Sequence, residues 1–257
     1  MIVLPWVGFV VIMYAQRHDL LYRFDLWQSD ARAVGGPGAV AELTASDGTP
    51  LAVWVAPPRD GRPVVLHFGG NAGVLRMAVR RTLPLVADGY GVVVMNYRGA
   101  GEMPGSPSQA AIVADALEVY DSLGVLTEDA GPPILYGASL GAAVAVQVAA
   151  RRPARALVLA APFARLCETA EHHYPWLPAC MILTDERWSS ADLIGDIDAP
   201  VLILHGARDR IIPLSQAQAL HRAAGPSAQM VVYPRAGHRD LAQHGAETEI
   251  LRFLASL

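Results

Sequence analysis

The sequence predicts an α/β protein in which a mostly parallel sheet carries helices on both faces. Short apolar runs rich in β-branched residues recur along the chain, and stretches of helical length separate them. The later runs are apolar throughout, as expected of parallel strands that are covered on both faces. A chain of 257 residues, of which 53% are hydrophobic, can bury a large core as a single domain.

Eight runs are predicted to form strands. They cover residues 39–43, 51–56, 63–68, 91–97, 133–137, 156–161, 200–206 and 229–234. The first two alternate apolar and polar residues around the turn "SDGTP", which is typical of an antiparallel hairpin at a sheet edge. Helices are predicted over 73–88, 107–124, 140–151, 214–224 and 240–256. Strands and helices that alternate in this way favour a parallel sheet.

The segment 162–198 interrupts the alternation and is rich in aromatic residues and prolines. We interpret it as a short cap over the carboxyl edge of the sheet, where ligands bind in such folds. Phe163, Tyr174, Trp176 and Met181 are candidate walls of an apolar substrate pocket. The alternative is that these side chains form a small core within the cap.

The amino terminus is predicted to be a membrane anchor. Residues 1–16 carry no charge, and Arg17, His18 and Arg23 follow directly. A signal peptide and an apolar helix docked on the domain are the alternatives. An anchor would attach the domain, residues 17–257, to a bacterial inner membrane through one amino-terminal segment.

Charge and cysteine content exclude several classes of partner. The net charge of −4 gives no sign of a nucleic-acid surface, and the arginines of "VRR" (79–81) are interpreted as part of a helix face. Cys167 and Cys180 lie thirteen residues apart without metal-ligand spacing, and we expect two buried thiols rather than a disulfide. The pair His172 and His173 has no evident carboxylate partner, so no metal site is expected.

A candidate nucleophile stands in "GASLG", residues 137–141. This G-x-S-x-G pattern follows an apolar strand and opens a helix of small residues, as a nucleophile elbow requires. Ser139 at the tip of such a turn takes a strained backbone, and the residues two before and two after it must be small. The alternative is that the small residues only allow two elements to pack closely.

A serine nucleophile needs a histidine that accepts its proton and a carboxylate that orients the histidine. In this topology the acid and the base follow the serine in that order, each on a loop after a later strand. Asp209 in "VLILHGARDRIIP" and His238 in "YPRAGHRDL" occupy those positions. The alternatives are an ion pair of Asp209 with a neighbouring arginine and a helix cap at His238.

An oxyanion hole would complete such a site. One expected donor is the backbone N–H of Leu140, the residue after the serine. The second is expected from the loop "GGNAGV", with the N–H of Gly70 or of Asn71 as the two alternatives. Chemistry of this kind needs no cofactor, and none is expected.

Six segments together resemble the α/β-hydrolase superfamily: "HFGGNAG", "NYRGAGEMPGSPS", "GASLG", "LPACMILTDERWSS", "VLILHGARDRIIP" and "AGHRD". More narrowly they resemble its membrane-anchored branch, with the bud-emergence-type hydrolases and the animal protein depalmitoylases. The resemblance covers residues 17–257. It implies Ser139 as nucleophile, Asp209 as acid, His238 as base and the "GGN" backbone as oxyanion donor. Gly69 departs from the pattern, because this branch usually has a histidine there.

The predicted function is hydrolysis of carboxylic esters or thioesters through an acyl-enzyme. The expected substrate is a small-molecule or lipid-like acyl ester, and this substrate class rests on the resemblance. A peptidase or amidase that uses the same three residues is the first alternative. A non-catalytic scaffold tethered to a membrane is the second.

Overall fold

The computed structural model of the chain describes residues 3–24, 34–72, 75–129 and 131–257. Its centre is an eight-stranded sheet in the order β1-β2-β4-β3-β5-β6-β7-β8. The strands are β1 (Ala39–Thr44), β2 (Pro50–Ala56), β3 (Val64–Phe68), β4 (Gly91–Met95), β5 (Ile134–Ala138), β6 (Ala156–Ala160), β7 (Val201–Gly206) and β8 (Gln229–Tyr233). β2 pairs antiparallel with β1 and with β4 at one edge, and β3 to β8 are parallel to one another. The predicted fold class is confirmed.

Ten helices are described. They are α1 (Val3–Ala15), α2 (Arg17–Leu21), α3 (Leu75–Ala87), α4 (Gln109–Asp121), α5 (Leu123–Thr127), α6 (Leu140–Ala149), α7 (Leu166–His173), α8 (Ala179–Ile182), α9 (Leu214–Ala224) and α10 (Ala246–Ala255). A 3₁₀ turn, Leu241–His244, precedes α10. The helix predicted over 240–256 is therefore interrupted at Gly245, whose φ of 93° ends the turn.

The two faces of the sheet carry different elements. Helices α4, α6 and α9 pack on the first face with the cap and with Tyr22 and Phe24 of the amino-terminal segment. Helices α3 and α10 pack on the second face. Alternate strand residues serve the two cores: Val93 faces the first, whereas Val92 and Val94 face the second.

The prediction of a transmembrane anchor over residues 1–16 is wrong, and with it the predicted membrane location. No helix in the described ranges combines the length and the apolar composition needed to cross a bilayer. Helix α1 has 13 residues, so it is about 20 Å long, against a hydrocarbon core of about 30 Å. The chain leaves the helical path at Gln16 and begins α2 at Arg17.

Helix α1 instead lies against the cap, as in the docked-helix alternative. Val10 and Met13 pack on a small apolar cluster of the cap that includes Leu177 and Ile182. The ring of Phe9 contacts the edge of Trp176 at a centroid distance of 5.3 Å. The amino-terminal segment therefore extends the cap.

The cap joins β6 to β7 and contains α7 and α8. Cys167 and Cys180 form a disulfide between these two helices, with Cα atoms 4.7 Å apart. The expectation of two free thiols is wrong, because the turn after α7 folds α8 back alongside it. The disulfide closes the cap into a loop whose two helices cannot separate.

Candidate active site

Ser139 stands at the junction of β5 and α6, on a sharp turn. Its φ of 55° lies in the left-handed region, which is uncommon for a residue with a side chain. A Cβ at Gly137 would lie 2.1 Å from the carbonyl oxygen of Gly141, and one at Gly141 would lie 2.0 Å from that of Phe68. The glycines therefore allow the turn to form, and the Ser139 hydroxyl is raised above the strand end.

The structure brings Ser139, His238 and Asp209 into one hydrogen-bonded chain. The Ser139 Oγ lies 3.0 Å from Nε2 of His238. The other ring nitrogen, Nδ1, lies 2.7 Å from Oδ2 of Asp209. Asp209 follows β7 and His238 follows β8, so the parallel strands deliver all three groups to the carboxyl edge of the sheet.

The surroundings of Asp209 hold its side chain as a carboxylate. Its second oxygen accepts the backbone N–H groups of Ile211 and Ile212 at 2.8 and 2.9 Å. Burial favours the protonated form, but the hydrogen bond with His238 and these N–H groups outweigh it, and the pKa of Asp209 lies below its ordinary value. His205 donates to the carbonyl of Ile212 at 3.0 Å and orders the same loop.

Three backbone N–H groups beside Ser139 match the expected oxyanion donors. Leu140 begins α6, and Gly70 and Asn71 lie on the loop after β3. A Cβ at Gly70 would lie 3.5 Å from the Cβ of Ser139, so this loop passes directly over the nucleophile position. None of the three N–H groups donates to another residue of the described chain.

The loop after β3 is held from two sides. The Tyr97 hydroxyl donates to the carbonyl of Gly69 at 2.7 Å. The side-chain amide of Asn71 donates to the carbonyl of Leu21 at 3.3 Å, and the ring of Phe24 stacks on Tyr97 at 5.3 Å. The amino-terminal segment thus supports the loop, a contact that nothing in the sequence pattern indicates.

A cavity of about 230 Å³ opens beside Ser139 on the second face of the sheet. It is lined by the loop after β3, by α3, by the loop that carries His238 and by α10. Its walls are mostly apolar, with Leu75, Ala78 and Ile250 among them. Three charged residues also line it: Arg81 of α3, Glu247 of α10 and Arg239, an exposed residue next to His238. Sequence reasoning placed Arg81 on a helix face and gave no role to Glu247.

The four cap residues considered as substrate contacts lie elsewhere. Phe163 is buried in the core of the first face. Tyr174, Trp176 and Met181 are exposed, the last with 79% of its surface accessible. None of the four lines the cavity beside Ser139 in the described structure. Within the described ranges no three histidine, cysteine or acidic side chains form a metal-binding group.

These features define a hydrolase of the α/β class, and comparison with known proteins agrees. Residues 62–193 match the Hydrolase_4 family model, described as "Serine aminopeptidase, S33", and residues 177–256 match a model described as "TAP-like protein". The chain belongs to the α/β-hydrolase superfamily.

Among its relatives is the uncharacterised protein Rv2307c of Mycobacterium tuberculosis, 36% identical over 237 residues, which span 91% of this chain and 84% of that protein. The lysophosphatidylserine lipase ABHD12 of Danio rerio is 33% identical over 193 residues, 67% of this chain and 50% of the lipase. The esterase Pf2001 of Pyrococcus furiosus superposes with a TM-score of 0.72 at 18% identity over 90% of this chain and 94% of the esterase. The last likeness concerns the fold alone.

Proposed function

We propose that this protein is a serine hydrolase that cleaves carboxylic esters through an acyl-enzyme. The observation that supports this most directly is the hydrogen-bonded chain from Ser139 through His238 to Asp209 at the end of a strained turn. A hydroxyl within 3.0 Å of an imidazole nitrogen is placed for transfer of its proton. The esterase and lipase named above point to the same reaction class.

For each step of the proposed reaction there is a candidate group near Ser139. The Ser139 oxygen adds to the acyl carbon while its proton moves to Nε2 of His238, and Asp209 stabilises the imidazolium. The resulting oxyanion accepts the N–H of Leu140 and one N–H from Gly70 or Asn71. His238 then returns the proton to the leaving alcohol as the C–O bond breaks. Water, deprotonated by His238, releases the acid and restores Ser139.

Thioesters would react by the same steps, and the resemblance to protein depalmitoylases makes them the second substrate class to test. An aminopeptidase is the remaining candidate, because the matching family model has that description. Such an enzyme binds the substrate ammonium with a carboxylate, and Glu247 lines the cavity. Arg81 lines the same cavity, and its positive charge disfavours an ammonium there.

A fluorophosphonate probe tests the nucleophile. We expect the wild-type chain to be labelled on Ser139, and Ser139→Ala to lose both the label and the hydrolysis of p-nitrophenyl butyrate. Ser106→Ala, at an exposed serine that does not line the cavity, is the matched control and should keep both. Faster turnover of aminoacyl anilides than of esters would favour the aminopeptidase. Labelling that survives in Ser139→Ala would overturn the assignment.

A further inference from the structure

The part of the cavity away from Ser139 has polar groups without partners. Arg81 and Glu247 line it from α3 and α10, and neither makes an ion pair or hydrogen bond with another residue of the described chain. Tyr136 lines it from the floor, is only 3% exposed, and its hydroxyl has no hydrogen-bond partner there either. Tyr136 is the buried member of this cluster, whereas Arg81 and Glu247 are partly exposed. Buried hydroxyls in folded proteins are usually hydrogen-bonded, so the Tyr136 hydroxyl at the cavity wall is open to a polar ligand group.

A second unpaired polar side chain lies behind Tyr136. The His67 ring is fully buried and contacts the Tyr136 ring at a centroid distance of 4.5 Å. Neither His67 nitrogen makes a well-formed hydrogen bond within the described structure, although the Tyr136 backbone lies near enough to favour its protonated form slightly. His67 is therefore a further buried polar side chain without a well-formed hydrogen bond, next to the cavity residue Tyr136.

A short substituent of a substrate bound at Ser139 can reach the polar end of the cavity at Tyr136. Tyr136 precedes Ser139 by three residues along β5, which corresponds to about 10 Å of extended chain. The cavity of about 230 Å³ exceeds the ~150 Å³ that holds a benzene molecule in an engineered protein cavity. Its apolar walls and its size suit a chain of a few carbons or one aromatic ring, followed by a polar group.

The charges favour an anion over a cation at this end. Of the two side chains, Arg81 has the larger effect on the pKa of Tyr136, which it lowers, whereas Glu247 raises it and burial raises it most of all. Arg81 also acts on His67, where it disfavours protonation. Glu247 is only partly buried and lies in the first turn of α10, whose free backbone N–H groups stabilise its charge.

We propose that the cavity binds a carboxylate carried on the arm of the ester substrate, with Arg81 as its partner and the Tyr136 hydroxyl as a second donor. A guanidinium binds a carboxylate through two parallel hydrogen bonds, which no neutral group can reproduce. Arg81 and Tyr136 are then specificity-determining residues for a half-ester of a short dicarboxylic acid, or for its counterpart with the carboxylate on the alcohol. This inference rests on the proposed esterase function and narrows its substrate class.

Two pairs of matched esters test the proposal on the full chain. In the first pair the carboxylate is on the acyl arm: mono-p-nitrophenyl adipate against p-nitrophenyl hexanoate. In the second it is on the alcohol arm: 6-acetoxyhexanoate against hexyl acetate. We expect kcat/KM to favour the carboxylate in one of the two pairs by about tenfold or more, the usual effect of a hydrogen-bonded charge.

Variants assign the selectivity to Arg81. Arg81→Met should remove the preference, Arg81→Lys should keep part of it, and Tyr136→Phe should reduce it by a smaller factor. Arg80→Met removes the neighbouring exposed arginine of the same helix and should leave the ratio unchanged. Thermal unfolding of each variant shows whether it is folded.

The outcomes separate this inference from the proposed function. Hydrolysis of all four esters without a preference for the carboxylate, or a preference that persists in Arg81→Met, would overturn the carboxylate subsite and leave the esterase standing. Failure of the wild-type chain to hydrolyse any of the four and to react with the fluorophosphonate would overturn the esterase itself.

Discussion

Buried polar side chains on the two faces of the sheet differ in whether they have hydrogen-bond partners within the protein. On the first face they are paired with one another: Arg98 binds Asp115 through two nitrogens, and the Tyr22 hydroxyl binds Glu186. On the second face the His67 ring is fully buried without a well-formed hydrogen bond, and it packs against Tyr136, which lines the cavity. Both sets lie within the same eight-stranded domain.

The difference separates polar groups that stabilise the fold from polar groups that are available to bind a ligand. A polar pair that the protein completes by itself holds two elements in place, because breaking it leaves an uncompensated buried group. A polar group that the protein leaves unpaired at a cavity wall is available to a ligand. The pairs of the first face therefore hold the loops and the amino-terminal segment, and the second face has the cavity that is proposed to bind a substrate arm.

The largest effect is expected at Asp209, the acid of the proposed catalytic triad. Asp209→Asn should lower kcat by about 10⁴-fold, because the amide no longer holds His238 in the orientation and tautomer that accept the serine proton. Asp240→Asn is the matched control, since Asp240 accepts the N–H of Gly237 at 2.7 Å and not the ring of His238. Ester turnover with stopped-flow detection measures both. Near-normal activity in Asp209→Asn would remove this aspartate from the mechanism.

On the first face, removal of one partner of a buried ion pair should strongly reduce the free energy of unfolding. Asp115 is fully buried, and Asp115→Asn leaves the Arg98 guanidinium with only the exposed Asp47 as a charged partner. We expect a loss of about 3 kcal/mol in the free energy of unfolding. Asp121→Asn breaks the exposed pair with Arg152 and should cost much less, because solvent screens an exposed pair. Equal losses in urea denaturation would contradict the contrast between buried and exposed pairs.

On the second face, the buried His67 should make the free energy of unfolding depend on pH. Burial lowers the pKa of His67 to about 3, so the folded chain keeps this ring neutral while the unfolded chain binds a proton below about pH 6.5. Stability from this residue is complete above pH 6.5 and is lost as the pH falls towards 3, by about 2 kcal/mol at pH 5. His67→Leu should be less sensitive to acid by that amount. Parallel pH profiles of unfolding in the two proteins would refute it.

A smaller loss of stability is expected when the hydrogen bond between Tyr22 of the amino-terminal segment and Glu186 of the cap is removed. In Tyr22→Phe, Glu186 loses the phenol donor, and the indole N–H of Trp188 loses its acceptor at 3.1 Å. Glu186 still accepts the N–H of Gln109 at 3.1 Å, so the cost should be about 1 kcal/mol. Thermal unfolding measures the loss. A destabilisation as large as that of Asp115→Asn would show that Tyr22 has a wider structural role.

The sequence was sufficient for the sheet and for the turn at Ser139, because both depend on local requirements. The apolar run of β5 predicts a buried strand, and Gly137 and Gly141 are the small residues that the turn needs. Asp209 and His238 lie where the later strands end. The amino terminus was predicted wrongly because an apolar run looks the same whether it meets lipid or a cap. In the structure α1 packs on the cap through Val10 and Met13, a contact that the apolar run itself does not indicate.

Contacts between distant segments could not be predicted. The disulfide depends on the fold of α8 against α7, which the spacing of Cys167 and Cys180 does not indicate. The cavity depends on Arg81 and Glu247, which lie far apart in the chain and face the same space only because α3 and α10 share one side of the sheet. Neither residue stands in a recognisable motif.

The most direct test of the account is a crystal structure of the protein inhibited by a phosphonate that bears a six-carbon arm ending in a carboxylate. We predict phosphorus bonded to Ser139 Oγ, its oxygen within hydrogen-bond distance of the Leu140 N–H, and the arm between α3 and α10 with its carboxylate on Arg81. An arm that lies along the cap beside Tyr174 and Trp176, or an adduct on any residue other than Ser139, would contradict the account.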